Sequence, residues 1–436
     1  MRFSSFLAIA ALTLMITSTT SAATVKSPDG RIAIETSVES DGVFFEISRD
    51  STSLVERSPV GFVFDGTEPN WSPIATKETS GDTTWTPVWG KRAEVRDRYN
   101  GLTITLEDAK IGKVDIEFRA YDDAVAMRTV LGKGSKISSV KSERTQWNFA
   151  ADAVCWSYGG ERPNVGPEKL SLTGGARRCP LVLHVADDSY LAITEAAVYD
   201  FTWMELALQK GDLSVRATVR PTPVSTAAKS QALPWRVLLI GDTPGVLVDS
   251  DTLENLNPPC QIEDTSWIKP GTSFWDWRAW GYKTDDGFTY DLDQESWERF
   301  VDLAAESGVS NLLIDADWYG PEFDKNSDPS TTEKGVPELI KYAKQKGVGI
   351  FLYLNDVGAK KYGLETILKQ FAQWGATGVK YGFMREPAGR PKVNHTRNVI
   401  RLCAKYKLMV NFHDGPVPPC GDTRTWPNCL TREFCH

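Results

Sequence analysis

A chain of 436 residues exceeds one ordinary hydrophobic core and sets an expectation of two domains, or three. Lys and Arg number 49 against 57 Asp and Glu, a formal charge of −8 with no basic stripe, which excludes a nucleic-acid-binding role on electrostatic grounds. At 41% hydrophobic and 24% charged the composition is globular, and its fifteen Trp, thirteen Tyr and eighteen Phe suit the packing of sugar rings, although core filling accounts for most of them.

The chain opens on a targeting segment. Arg2 gives a positive start, Phe6 to Ile16 an apolar run, and Thr20-Ser21-Ala22-Ala23 a small-residue cleavage site. The run is too short to span a bilayer, which takes about 20 residues, so residues 1–23 read as a signal peptide of an exported protein with no membrane span. Export permits disulfides, and Cys155, Cys179, Cys260, Cys403, Cys420, Cys429 and Cys435 are available. Cys420 and Cys429 are candidates for a bridge across a loop, but spacing leaves connectivity open.

Residues 24–265 read as a large antiparallel β-sandwich. Ile32 to Val38 and Val43 to Ile47 alternate apolar and polar residues around Ser40-Asp41-Gly42, a hairpin pattern. Leu102 to Leu106 with Val114 to Phe118, and Val182 to Val185 with Tyr190 to Ile193, repeat it; Trp235 to Ile240 closes the series. After Pro270-Gly271 the texture changes. Candidate strands at Phe274 to Trp277, Asn311 to Ile314, Gly349 to Leu354, Gly378 to Phe383 and Met409 to Phe412 alternate with helical stretches at Gln294 to Ser307, Val336 to Lys346, Leu364 to Trp374 and Val393 to Tyr406. Five parallel βα units fit either an incomplete (β/α)8 barrel or an open doubly wound sheet. The barrel is favoured because Asp276, Asp315, Asp317, Asn355, Asp356, His413 and Asp414 gather where strands end.

No phosphate-binding glycine loop, nucleophile elbow or zinc-protease helix is present, so the chemistry falls to carboxylates. Ser27-Pro28-Asp29-Gly30, Pro87-Val88-Trp89-Gly90, Phe118-Arg119-Ala120-Tyr121, Thr194-Glu195-Ala196-Ala197, Trp275-Asp276-Trp277, Gly378-Val379-Lys380, Val410-Asn411-Phe412-His413 and Arg424-Thr425-Trp426-Pro427-Asn428 follow one another in order. Together they resemble glycoside hydrolase family 97. That resemblance implies a β-sandwich, a (β/α)8 barrel and hydrolysis of α-linked sugars.

The resemblance also implies roles. Retaining, α-galactosidase-like members carry an Asp nucleophile two residues after the strand-four Lys, and Gly382 stands there beyond Lys380. This favours the inverting, α-glucosidase-like branch, with Asp356 and Asp414 as general bases and Asn355 as the alternative to Asp356. It also implies a calcium ion on Glu195, Asp414 and Glu433, hard oxygen ligands for a hard cation. Substrate contacts fall to His413, His395, Lys380, Asp276, Trp277 and Asp317. Each has a plainer reading: Glu195 as a solvated loop acid, Glu433 as half of a surface pair with Arg432, the histidines as structural, Lys380 and Asp276 as ion-pair partners, Trp277 as core. Asp315 and Asp317 alternate on a strand, so one faces the barrel mouth and the other serves as a cap or turn acid.

The general acid implied by the resemblance lies six residues beyond Glu433, past His436. The expectation is therefore an exported inverting α-glucosidase, domains 24–265 and 266–436, impaired in the chain as given. A non-catalytic carbohydrate-binding remnant, an α-galactosidase-like specificity and an unrelated carboxylate-dependent enzyme are the alternatives.

Overall fold

The computed structural model describes residues 21–65, 69–159, 163–413 and 417–433. Two large antiparallel sheets form the N-terminal part. One runs from Ser21–Lys26 through Ile32–Glu39, Gly42–Arg49 and Thr52–Val60 to Gln146–Phe149, Ser214–Thr218, Glu205–Leu208 and Gly175–Arg178. The other places Val165–Lys169, Val154–Ser157, Leu181–Ala186, Ser189–Ala196, Trp235–Gly241, Ala124–Leu131, Gly112–Ala120, Val95–Asp108 and Ser72–Trp85 side by side. The sequence alternation dictates how they pack. Ile32, Ile34 and Val38 point inward from the first sheet, and Leu102, Ile104, Val114, Ile116 and Phe118 from the second, into one shared core. The hairpin at Ser40-Asp41 closes on Glu39 opposite Gly42, as the turn signal requires.

Helices Pro244–Asp249 and Thr252–Asn255 lead into a six-stranded parallel sheet whose neighbours follow chain order: Ser273–Trp275, Asn311–Ile314, Gly349–Asn355, Gly378–Gly382, Met409–Phe412 and Cys429–Arg432. With Gln294–Ser307, Val336–Gln345, Leu364–Trp374 and Arg390–Lys405 packed outside, this is a half-barrel. Helix Gln294–Ser307 shows why these segments fold so: Asp293 caps Ser296 N–H at 2.8 Å, Gly308 ends it in the left-handed region, and Trp297, Phe300, Val301 and Ala304 form the buried stripe.

Two expectations change. The strand count rises from five to six, because Cys429–Arg432 joins Met409–Phe412 without an intervening helix to announce it. The six described cysteines are free thiols, so Cys420 and Cys429 form no bridge; Cys435 lies outside the described residues. No helix among the described residues is long and apolar enough to cross a membrane.

The half-barrel does not stand alone. Ile268, Phe351 and Met409 close its floor with Leu313, Leu430 and, from the N-terminal part, Trp89, whose indole donates to the Pro427 carbonyl at 2.7 Å. At the flank, Arg397 donates to the Val198 carbonyl at 2.8 Å and pairs with buried Asp422, which Arg432 also holds.

Candidate active site at the half-barrel mouth

Strand alternation decides which polar residues enter the lumen. Trp275, Asp315, Tyr353, Lys380 and Asn411 come from five successive strands or their ends, and Lys380 lies in register with Asn411. Lys380 Nζ is 3.1 Å from Asp315 Oδ2 and 4.3 Å from the centre of the Trp275 ring; the Trp275 indole donates to the same carboxylate oxygen. Asp315 Oδ1 and Asn411 Oδ1 are enclosed without a donor among the described residues. Higher up, Glu433 Oε2 lies 3.9 Å from Lys380 Nζ and 3.7 Å from His413 Nε2, and the His413 ring rests against Phe383. Trp277, 42% exposed, stacks on Trp275 at 5.4 Å, with the Arg278 guanidinium over both rings. An aromatic rim above a floor of hydroxyl-seeking groups results.

The other expected site residues lie elsewhere. Asp276 is buried: one oxygen accepts Asp315 N–H and the other the Trp297 indole N–H, each at 2.9 Å. Burial pushes its carboxyl up to about 6. It ties the first strand end to the second and to a helix, with both oxygens engaged and buried. Asp317 sits in a turn at φ 64° and accepts Glu322 N–H at 2.8 Å, so Asp315 is the member of that alternating pair that faces the lumen.

Asp356 begins the helix Asp356–Tyr362 and points into the helical layer. Its Oδ1 accepts from Tyr381 at 2.5 Å and lies 3.2 Å from His395 Nε2; its Oδ2 accepts from Lys360 at 2.7 Å and Arg385 N–H at 3.0 Å. Burial opposes the charge, but the hydrogen bonds from His395, Lys360 and Tyr381 outweigh it and hold the carboxyl well below the usual range. A carboxylate so saturated is a clamp and a poor base. The expected pairing of Asp356 with Asp414 at the mouth does not form through Asp356, and Asp414 lies outside the described residues. Asn355, the alternative, faces the lumen side, donating to the Tyr353 hydroxyl at 3.1 Å while capping its own helix. His395 belongs to the Asp356 cluster with Glu386. Asp356, Glu386 and His395 offer ligand atoms within 4.8 Å of one another, but the Lys360 ammonium already bridges the two carboxylates at 2.7 Å each.

Calcium fits Glu195 no better. One of its oxygens accepts Met204 N–H and the other Arg236 Nη1, both at 2.9 Å, while Arg236 also clasps Glu143. Glu195 points into the β-rich core, on the Leu191–Ile193 side of its strand, and burial lifts its carboxyl to about 7. An arginine occupies the electrostatic place a cation would take.

Gly382 has a local cause. A Cβ there would lie 2.6 Å from Tyr353 Cε2 and 2.7 Å from its hydroxyl oxygen, and that hydroxyl donates to Glu322 at 2.5 Å. The phenol fills the space above strand four.

The chain matches the family descriptions Glycosyl-hydrolase 97 N-terminal over residues 25–259 and Glycoside hydrolase 97 over residues 274–435. It belongs to glycoside hydrolase family 97. Among curated family relatives, the retaining alpha-galactosidase of Bacteroides thetaiotaomicron is 26% identical over 454 residues, spanning 94% of this chain and 67% of its own. The probable retaining alpha-galactosidase of Streptomyces bingchenggensis is 27% identical over 463 residues, spanning 98% and 68%. A glycoside hydrolase family 97 enzyme from Pseudoalteromonas sp. strain K8, solved in complex with panose, shares the fold with a TM-score of 0.80 at 24% identity, over 94% of this chain and 69% of that one. A beta-arabinopyranosidase does so at 0.79 and 20%, over the same shares. The family is therefore as the sequence implied, but the branch is not: two relatives named as retaining α-galactosidases overturn the inverting α-glucosidase reading drawn from Gly382.

Asn411 was not singled out as a site residue from sequence, and for Asp315 the choice against Asp317 stayed open. The signal for Asn411 is its register with Lys380, which emerges once strand pairing is known.

Proposed function

We propose that this chain is an exported glycosidase acting on α-galactosides, its site the lumen of a half-barrel that forms part of a (β/α)8 architecture. The observation that carries the sugar-binding part is the pair of enclosed acceptors, Asp315 Oδ1 and Asn411 Oδ1, beside the Lys380 ammonium and beneath Trp275 and Trp277. An enclosed acceptor without a donor costs about 1–3 kcal/mol, which a sugar hydroxyl removes by donating to it. The ammonium donates to a neighbouring hydroxyl oxygen, and the indole rim covers the C–H face of the ring. Specificity for galactose rests on the names of the two curated relatives. Export rests on the Arg2 to Ala23 leader pattern. Calcium at Glu195 forms no part of the proposal.

The test is hydrolysis of 4-nitrophenyl α-D-galactoside and α-D-glucoside. Faster release from the galactoside is the expected outcome. Preference for the glucoside overturns it. Asp315→Asn should raise KM for the galactoside several-fold, because one acceptor becomes a donor.

A further inference from the structure

The face of the larger sheet that points away from the shared core carries a second cavity, of about 450 Å³. It is separate from the half-barrel mouth. Trp235 lines it, whereas the next residue, Arg236, points through to the opposite face and the Glu143–Glu195 cluster. The sheet wall consists of Asp97, Tyr99, Arg119, Arg128 and Trp235, and Tyr199, Asn257 and Arg424 close the other side.

The charges in this cavity do not balance. The Arg119 guanidinium lies 4.0 Å above the Tyr99 ring and 5.0 Å from that of Trp235, makes one long hydrogen bond to the Tyr121 hydroxyl at 3.4 Å, and has no carboxylate within 4.0 Å among the described residues. Arg424 donates to the Asn255 carbonyl at 2.8 Å and approaches Asp97 only to 3.7 Å. Arg128 is already paired with Glu117 at 2.7 Å. Two half-buried guanidinium groups thus share one carboxylate, Asp97. Burial and the repulsion of Arg119 lower the Arg424 pKa, and burial raises that of Asp97. A chain of formal charge −8 keeps a locally cationic cavity here.

We propose that this cavity binds an oxyanion carried on a sugar: the carboxylate of a hexuronic acid, gripped by Arg119 and Arg424. A guanidinium presents a planar fork of donors that matches a carboxylate, and one added negative charge brings the cavity to balance. Its volume falls within the range of small-molecule sites. The Tyr199 hydroxyl, which donates to Asn257 at 3.0 Å, can accept from a sugar hydroxyl through its oxygen. The site is independent of what the half-barrel hydrolyses.

Calorimetric titration of the whole chain at low ionic strength, with D-galacturonate, D-galactose and inorganic phosphate as probes, decides the matter. The expected result is saturable galacturonate binding at least ten-fold tighter than galactose, weakened at least ten-fold in Arg119→Met, which keeps the aliphatic stem between Tyr99 and Trp235. Arg424→Gln, on the opposite wall, should do the same and serves if Arg119→Met fails to fold. Equal binding of galacturonate and galactose overturns the proposal, as does phosphate binding without galacturonate binding, or unchanged affinity in a folded variant. Should neither variant fold, the preference of the unaltered chain among the three probes still decides.

Discussion

Glu195 shows how burial turns one carboxyl into a determinant of stability. Its pKa stands at about 7 in the folded chain against 4.5 for an ordinary glutamate, burial being the main cause. A carboxyl raised on folding binds more protons in the native state, so its contribution is complete below about pH 4.5 and is lost as pH climbs through 7. Glu195→Gln removes that titration. The melting temperature of the unaltered chain, taken relative to the variant, should fall between pH 4.5 and pH 7.5; parallel curves would refute the assignment. Lys380 and Asp315 are coupled differently, through a 3.1 Å buried ion pair. Lys380→Met should cost about 3–5 kcal/mol by stranding a buried carboxylate, and adding Asp315→Leu should recover much of that loss. Urea unfolding of the double-mutant cycle measures the coupling, and strict additivity would show that there is none. Sequence named both residues but not their bond, because the lysine and its partner stand 65 positions apart.

At the scale of the element, most of what the sequence offered was legible. Helices Gln294–Ser307 and Leu364–Trp374 fall where apolar spacing put them. Among the short elements that escaped notice, Asp356–Tyr362 and Cys429–Arg432 are only seven and four residues long, too short for a period to declare itself. The first of these changed the reading of the site. A residue that follows a strand end points to the mouth only if the strand continues; here a helix starts at Asp356 and turns the side chain outward to Tyr381 and His395. Gly382 is another element-level constraint, since its strand carries no Cβ where the Tyr353 ring passes. Gly382→Ala should cost about 1–3 kcal/mol by overpacking. Tyr353→Leu in the same chain should relieve it, and a denaturant midpoint unmoved by the first substitution would contradict the contact.

Across the whole molecule, the family was readable from ordered motifs, whereas the branch was not. One glycine was asked to stand for a mechanism, although it also answers to a packing requirement from the neighbouring strand. The seam between the β-rich part and the half-barrel is equally a matter of close approach. Gly421, at φ 74°, lies against the Leu253 backbone, where an added Cβ would collide with main-chain atoms that cannot swing aside. Nearby, Asn257 donates to the Cys420 carbonyl at 2.7 Å, and Arg397 reaches Val198. Gly421→Ala should therefore loosen the seam without entering either core. Calorimetry should then resolve two transitions where the parent shows one; a single transition at the parent temperature would mean that the seam tolerates the side chain.

Trp89 gives the chain a direction in time. It is made long before Phe351, Met409 and Leu430, the residues it helps to seal, and it arrives on a sheet system that can close around its own core first. The later strands then gather on a lid already in place, instead of exposing their lower apolar ends while they wait for one another. A ribosome releasing residues 266–433 alone would deliver strands with no such template. That segment should partition into the insoluble fraction when made by itself and become soluble when residues 24–265 are supplied beside it, a comparison that one gel of separated fractions can make.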